Sequence, residues 1–145
     1  MRNESISLLK EKDMCVLATV SDNRPHCSLM AYMTNEAGTE IYMVTYRNSR
    51  KFRNLVQNPA VSFLVDTREE NPGDDRRKTK ALTVTGTVEI VKDPKKAETI
   101  RTRLLRRHPH LASIVQGNES EVISVKVRSF LLLDGPTDAH FEGVD

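Results

Sequence analysis

The stretch Thr45-Tyr-Arg-Asn-Ser-Arg-Lys51 concentrates residue types that recognise an anion. Arg47, Arg50, Lys51 and Arg53 crowd around Ser49, which stands where a helix would begin. A helix N-terminus exposes unpaired N–H groups and the positive end of the helix dipole, so its first turn normally favours acids. Here that turn holds Arg50 and Lys51. Cations at a positive pole are locally unfavourable, and a bound anion, most simply a phosphate, would complete the charge. A solvated basic turn accounts for the same residues, and spacing alone favours neither reading.

Other chemistries find less support. The histidines are His26, His108, His110 and His140. His108-Pro-His110 interrupts a basic helix with no Cys or carboxylate nearby to complete a ligand set, so no metal site is expected. His26, on a strand edge, reads as a packed or surface residue. No nucleophile elbow, zinc-protease signature or Gly-rich phosphate loop occurs. For the two cysteines, a two-residue hairpin turn at Asp22-Asn23 would set Cys15 opposite Met30 and Cys27 opposite Ala18, on opposite faces. A register shifted by one restores the face but separates them by roughly 13 Å along the strand, beyond the ~7 Å that a disulfide spans. Both are expected to be free, buried thiols.

The elements that would position the basic turn follow from periodicity. Residues 3–11 have a short helical pattern within an N-terminal segment 1–13. Residues 15–20 and 26–33 are β-prone runs around Asp22-Asn23, two residues that tolerate positive φ. A second turn at 35–39 leads into a strand over 40–46. Phe52, Leu55 and Val56 then switch to helical spacing, with Ser49 as N-cap and Pro59 beyond the end, giving a helix over 49–58. Residues 61–65 form a short strand, and 68–77 a polar, mobile loop. Leu82, Val84, Val88 and Ile90 alternate with polar residues, and Gly86 marks a bulge or close approach. Asp93-Pro94 opens a helical insertion over 93–117, whose basic helix spans 93–107. The last strand covers 121–134, before an acidic tail at 135–145. These readings place the barrel strands over 14–91 and predict a mainly β protein: six antiparallel strands in a small barrel with flanking helices, in one domain over 1–145.

The 145 residues are 38% hydrophobic, enough for a core without disulfide staples. The net charge of +2 is too small to imply a nucleic-acid partner, although residues 92–107 carry a local excess of five positive charges. That basic helix reads as a solvated amphipathic face, and few aromatics are available for base stacking. No apolar run reaches the ~18–20 residues of a membrane span and none forms a secretory signal, so a cytoplasmic protein is expected.

The order of the hairpin, Thr45, Ser49-Arg50-Lys51, Asn58-Pro59-Ala-Val-Ser62 and the Gly86 strand resembles the pyridoxamine 5′-phosphate oxidase-like superfamily of FMN-binding split β-barrels. The resemblance runs from about Val16 to Val91. It implies that Ser49, Arg50 and Lys51 grip the FMN phosphate and that Val44 and Thr45 touch the flavin from the strand end. It further implies that Ser28, Leu29, Met30 and Ala31 line the isoalloxazine, and that Lys78 and Lys80 reach FMN from the partner of a homodimer with FMN at its interface. The Arg and Lys with which true pyridoxamine phosphate oxidases open and close the FMN-lining strand motif correspond to Ser28 and Met33, and their C-terminal Arg-x-His motif is missing. Vitamin B6 oxidation is therefore not expected. The resemblance implies an FMN-dependent oxidoreductase acting on a small molecule. Its alternatives are a flavin- or haem-binding or electron-carrier module without turnover, and a deazaflavin-dependent reductase.

Overall fold

The computed structural model describes residues 2–144. Helix α1 (Arg2–Glu11) precedes strands β1 (Met14–Ser21), β2 (Arg24–Ala31), β3 (Met33–Thr34) and β4 (Glu40–Tyr46). Helix α2 (Arg50–Gln57) leads to β5 (Ala60–Asp66), a 3₁₀ turn (Gly73–Lys78) and β6 (Lys80–Ile90). Helices α3 (Pro94–Arg107) and α4 (Ala112–Gln116) flank the 3₁₀ turn Pro109–Leu111, and β7 (Ser120–Asp134) and β8 (Asp138–Gly143) complete the chain.

All strands join one antiparallel sheet in the order β2-β1-β5-β6-β7-β4-β3, with β8 paired to the C-terminal half of β7. The sheet is mainly β in class and curls into a half-barrel. Two of its eight strands among the described residues exceed the six expected. One is the two-residue β3, too short for any periodicity to show. The other is β8, which corrects the expected acidic tail: His140 and Glu142 turn inward while Ala139, Phe141 and Gly143 turn outward, a period-2 pattern that the tail's charge obscured. The 3₁₀ turn likewise gives the 68–77 loop structure that its Asn-Pro-Gly-Asp-Asp composition did not signal.

The first hairpin has the expected register. Asp22 and Asn23 adopt φ of 53° and 60°, the two positive values of a type I′ turn, and Cys15 faces Met30 while Cys27 faces Ala18. Cys15 is buried and Cys27 exposed, which corrects the expectation that both are buried. Burial alone pushes the Cys15 thiol up to about 12. Gly86 also behaves as expected. The β6–β7 register shifts between Thr85 and Gly86, and a Cβ at Gly86 would stand 2.5 Å from the Lys126 carbonyl oxygen.

Two apolar clusters hold the sheet. The concave one joins Leu9 of α1 to Leu17, Ile41, Met43, Phe63, Leu82, Ile123 and Phe130. On the other side of β4, Met33, Tyr42, Val44 and Val122 meet Ile100 and Leu104 of α3 and Val115 of α4. β4 is therefore buried on both faces, which holds the loop that follows it.

Candidate functional site

Helix α2 begins where the sequence predicts. The Ser49 hydroxyl donates to the Tyr46 carbonyl at 2.8 Å and accepts the Phe52 N–H at 3.2 Å. The Thr45 hydroxyl lies 3.3 Å from Ser49 Oγ, and because the Ser49 proton is already given to Tyr46, Thr45 is the donor. Thr45 is fully buried, so the loop is anchored at its strand end by a hydroxyl pair with one member desolvated. Ser49 Oγ is thereby committed to the cap. The groups left for an incoming anion are the N–H groups of Arg50 and Lys51 and the side chains of Arg50, Lys51 and Arg53. Among the described residues, none of these three side chains forms an ion pair.

Arg47 differs from its neighbours. Its Nε donates to Glu121 at 2.7 Å, its Nη2 to the Asn118 carbonyl at 2.6 Å, and its backbone N–H to the Glu119 carbonyl at 3.0 Å. It ties the loop to the start of β7. The side of α2 that faces the sheet holds buried Leu55, and Asn54 Nδ2 donates to Thr19 Oγ1 at 3.1 Å, so the helix lies against β1 with its N-terminus beside the end of β4.

The sheet order leaves β2 at one margin, and β4 has a strand partner on its outer side only at Ile41 and Tyr42. The split runs between them. In a two-residue hairpin the closing pair Ser21–Arg24 exchanges hydrogen bonds and the pattern then alternates. Ser28 and Met30 therefore turn their main-chain groups toward β1, whereas Cys27, Leu29 and Ala31 turn theirs to the open margin. Pro25, which has no N–H to offer, falls on the open side as this parity requires.

The strand predicted to line a ring thus divides by parity. Leu29, 69% exposed, and Ala31 present both outward side chains and free main-chain groups. Met30 buries its side chain in the concave core. Ser28 points inward, where its hydroxyl is buried and has no hydrogen-bond partner. Val44 buries its side chain against α3, leaving only its main chain near the loop. Lys80 stands apart: it begins β6, ion-paired with Glu4 at 2.7 Å, while the α2 side of the sheet lies toward Ile90, ~33 Å along the strand. Within one chain it does not join the Ser49 loop. Met33, matched to the family's phosphate-holding lysine, is buried beneath α3.

Sequence reasoning missed the outward-turned main-chain groups of Cys27, which strand parity could have shown, and the half-buried Arg101. Arg101 donates to the Val115 carbonyl at 2.7 Å, to Ser120 Oγ at 2.9 Å and to the Ser120 carbonyl at 2.9 Å. The signal for it was its position inside the apolar stripe of Ala97, Ile100, Leu104 and Leu105. A second basic concavity, of about 410 Å³, lies between the ends of α1 and α3 and the turn before β4, lined by Lys10, Lys12, Arg103, Arg106 and Arg107. The buried His108 closes α3, and its Nε2–H donates to the Tyr32 carbonyl at 3.0 Å. Among the described residues no group of His, Cys, Asp and Glu could hold a metal ion, and no helix is long and apolar enough to cross a membrane.

This split barrel, with a helix N-terminus at the end of its fourth strand, defines a class that the comparisons with known proteins identify. The sequence pattern described as pyridoxamine 5′-phosphate oxidase matches residues 1–131, and the chain belongs to that family. Its fold is similar to that of a haem-binding protein from Mycobacterium smegmatis, with a TM-score of 0.84 at 16% identity over 98% of this chain and 57% of that one. It is also similar to a FAD-binding protein from Mesorhizobium loti, with a TM-score of 0.73 at 17% identity over 90% and 91% of the two chains. A third similar structure is HutZ from Vibrio cholerae, described as a haem storage protein, with a TM-score of 0.73 at 19% identity over 92% and 91%. No curated protein matches the chain at a significant level.

Proposed function

We propose that the chain binds FMN and serves as an oxidoreductase for a small molecule, as a homodimer with the flavin between subunits. One observation carries the reading: among the described residues, Arg50, Lys51 and Arg53 stand without counter-ions at a helix N-terminus whose own N–H groups at 50 and 51 are free. A phosphate there gains charge-assisted hydrogen bonds from several donors at once. The rest of the chain suits the same ligand. The outward main-chain groups of Leu29 and Ala31 offer alternating donors and acceptors to a pyrimidine edge. The exposed Leu29 side chain supplies apolar surface.

The isoalloxazine would supply two-electron chemistry, so the protein's own task is to bind, orient and exclude water. Arg50 and Lys51 hold the phosphate, Thr45 and Val44 set the strand end against the ring, and the outward side chains and main chain of Leu29 and Ala31 form the wall, with Ser28 and Met30 packed behind it. Lys80 contributes only from the partner subunit. The convex side of the sheet supports pairing, since Leu29, Leu133 and Phe141 lie exposed on outward positions of β2, β7 and β8.

Titration of the purified protein with FMN, riboflavin and haemin tests the reading. Quenched flavin fluorescence at stoichiometric FMN, with riboflavin held much more weakly, is the expected outcome. The second reading, a haem-binding module, rests on the two haem-associated proteins of the same fold. A Soret band at stoichiometric haemin, with FMN ignored, would replace the first reading with the second.

A further inference from the structure

We infer that Arg101, on a helix remote in sequence, is a positioning residue for the phosphate-holding loop; this rests on the flavin reading above. Arg101 contacts no element of the loop directly. It grips Ser120 at both its carbonyl and its hydroxyl, and Val115 at its carbonyl. Ser120 Oγ in turn donates to the Ile114 carbonyl at 2.7 Å, which fastens α4 to the start of β7.

Ser120 is the register partner of Tyr46, and the Tyr46 carbonyl receives the Ser49 hydroxyl that caps α2. The two residues preceding Ser120 hold Arg47, through the Asn118 and Glu119 carbonyls. Both routes to the loop therefore start from the segment that Arg101 fixes. A planar guanidinium reaches these three oxygens from two nitrogens held in a rigid fork, whereas an ammonium must donate from a single atom and an apolar side chain donates nothing. All three of those oxygens are uncharged, and among the described residues Arg101 has no ion-pair partner, so its positive charge also remains behind the loop.

The experiment compares FMN with riboflavin, which differ only in the phosphate. In Arg101→Met, FMN affinity is expected to fall about 10-fold, the loss of one charge-assisted interaction, while riboflavin affinity stays within about 2-fold. Arg101→Lys restores the charge without the fork and is expected to recover less than half of the loss. An unchanged FMN-to-riboflavin ratio in folded Arg101→Met, or equal weakening of both ligands, overturns the inference. Should Arg101→Met not fold, Ser120→Ala removes one arm of the grip, and the same ratio must fall by about 3-fold for the inference to stand. If the unaltered protein shows no preference for FMN over riboflavin, the flavin reading itself fails, a result distinct from any of these.

Discussion

Two regions of this molecule gather cations, and they have opposite meanings. At the Ser49 loop Arg50, Lys51 and Arg53 sit on a helix N-terminus, with free N–H groups beside them and, among the described residues, no counter-ions. In the concavity between α1 and α3 the charges sit at helix C-termini. There Arg107 donates to the Lys10 and Lys12 carbonyls at 3.3 and 3.1 Å, Lys10 to the Glu36 carbonyl at 2.9 Å, and Lys12 pairs with Glu70. Carbonyl oxygens and the negative ends of two helix dipoles already neutralise much of that charge. Counting basic residues would rank the second region first. The polarity of the backbone beneath them reverses the order.

The sharpest way to break this contrast is charge reversal on each side. Lys51→Glu is expected to weaken FMN binding by at least about 100-fold with the fold intact, because it replaces an attraction with a repulsion at the phosphate. Arg106→Glu in the other concavity is expected to change it by less than about 2-fold. Fluorescence titration of both variants decides; similar losses in the two would erase the distinction.

A smaller effect isolates the helix cap. Ser49→Ala removes the acceptor of the Phe52 N–H and should cost about 1 kcal/mol of stability. Thermal unfolding would register this as a Tm lower by roughly 2–4 °C, and an unchanged Tm would mean that α2 does not depend on its cap. Thiol labelling then marks the open margin. Cys27 should react with a disulfide reagent in the native protein and be shielded by FMN, whereas Cys15, whose thiol burial pushes up to about 12, should react only after unfolding. Two fast thiols would contradict the hairpin's facing.

The smallest effect concerns the pair at the far end of β6. The hydrogen bond from Lys80, and then its charge, hold the Glu4 carboxyl below its usual value. The pair's contribution is therefore present above the unfolded carboxyl's range and disappears as pH falls through the lowered one. Both groups are solvent-exposed, so Lys80→Met should cost under about 0.5 kcal/mol at pH 7 and less at acid pH, as the carboxyl protonates. A comparison of unfolding midpoints at neutral and acid pH checks it. FMN affinity unaffected by that variant would confine Lys80 to this structural role.

Much of the architecture was legible because local rules and tertiary packing agree in it. Asp22-Asn23 specified both the turn and the register, and hence the faces of Cys15 and Cys27. The Ser49 cap and the Asp93-Pro94 start mark helices that form within a residue or so of where spacing puts them. What escaped has a common cause. β3 is two residues long, β8 carries charges on a strand, and Lys80's pairing with Glu4 joins positions 76 apart in the chain. None of these leaves a local pattern.

The amino-acid order by itself determined where hydroxyl, cation and turn residues fall, because caps, hairpins and alternation act over a few neighbours. Only the folded chain decided which cations remain unneutralised, since that depends on which backbone ends and distant carbonyls come to rest beside them. Arg47 and Arg50 are three residues apart, yet one is spent on Glu121 and the Asn118 carbonyl while the other has no ion-pair partner among the described residues. The difference is made by β7, a strand more than 65 residues further along the chain.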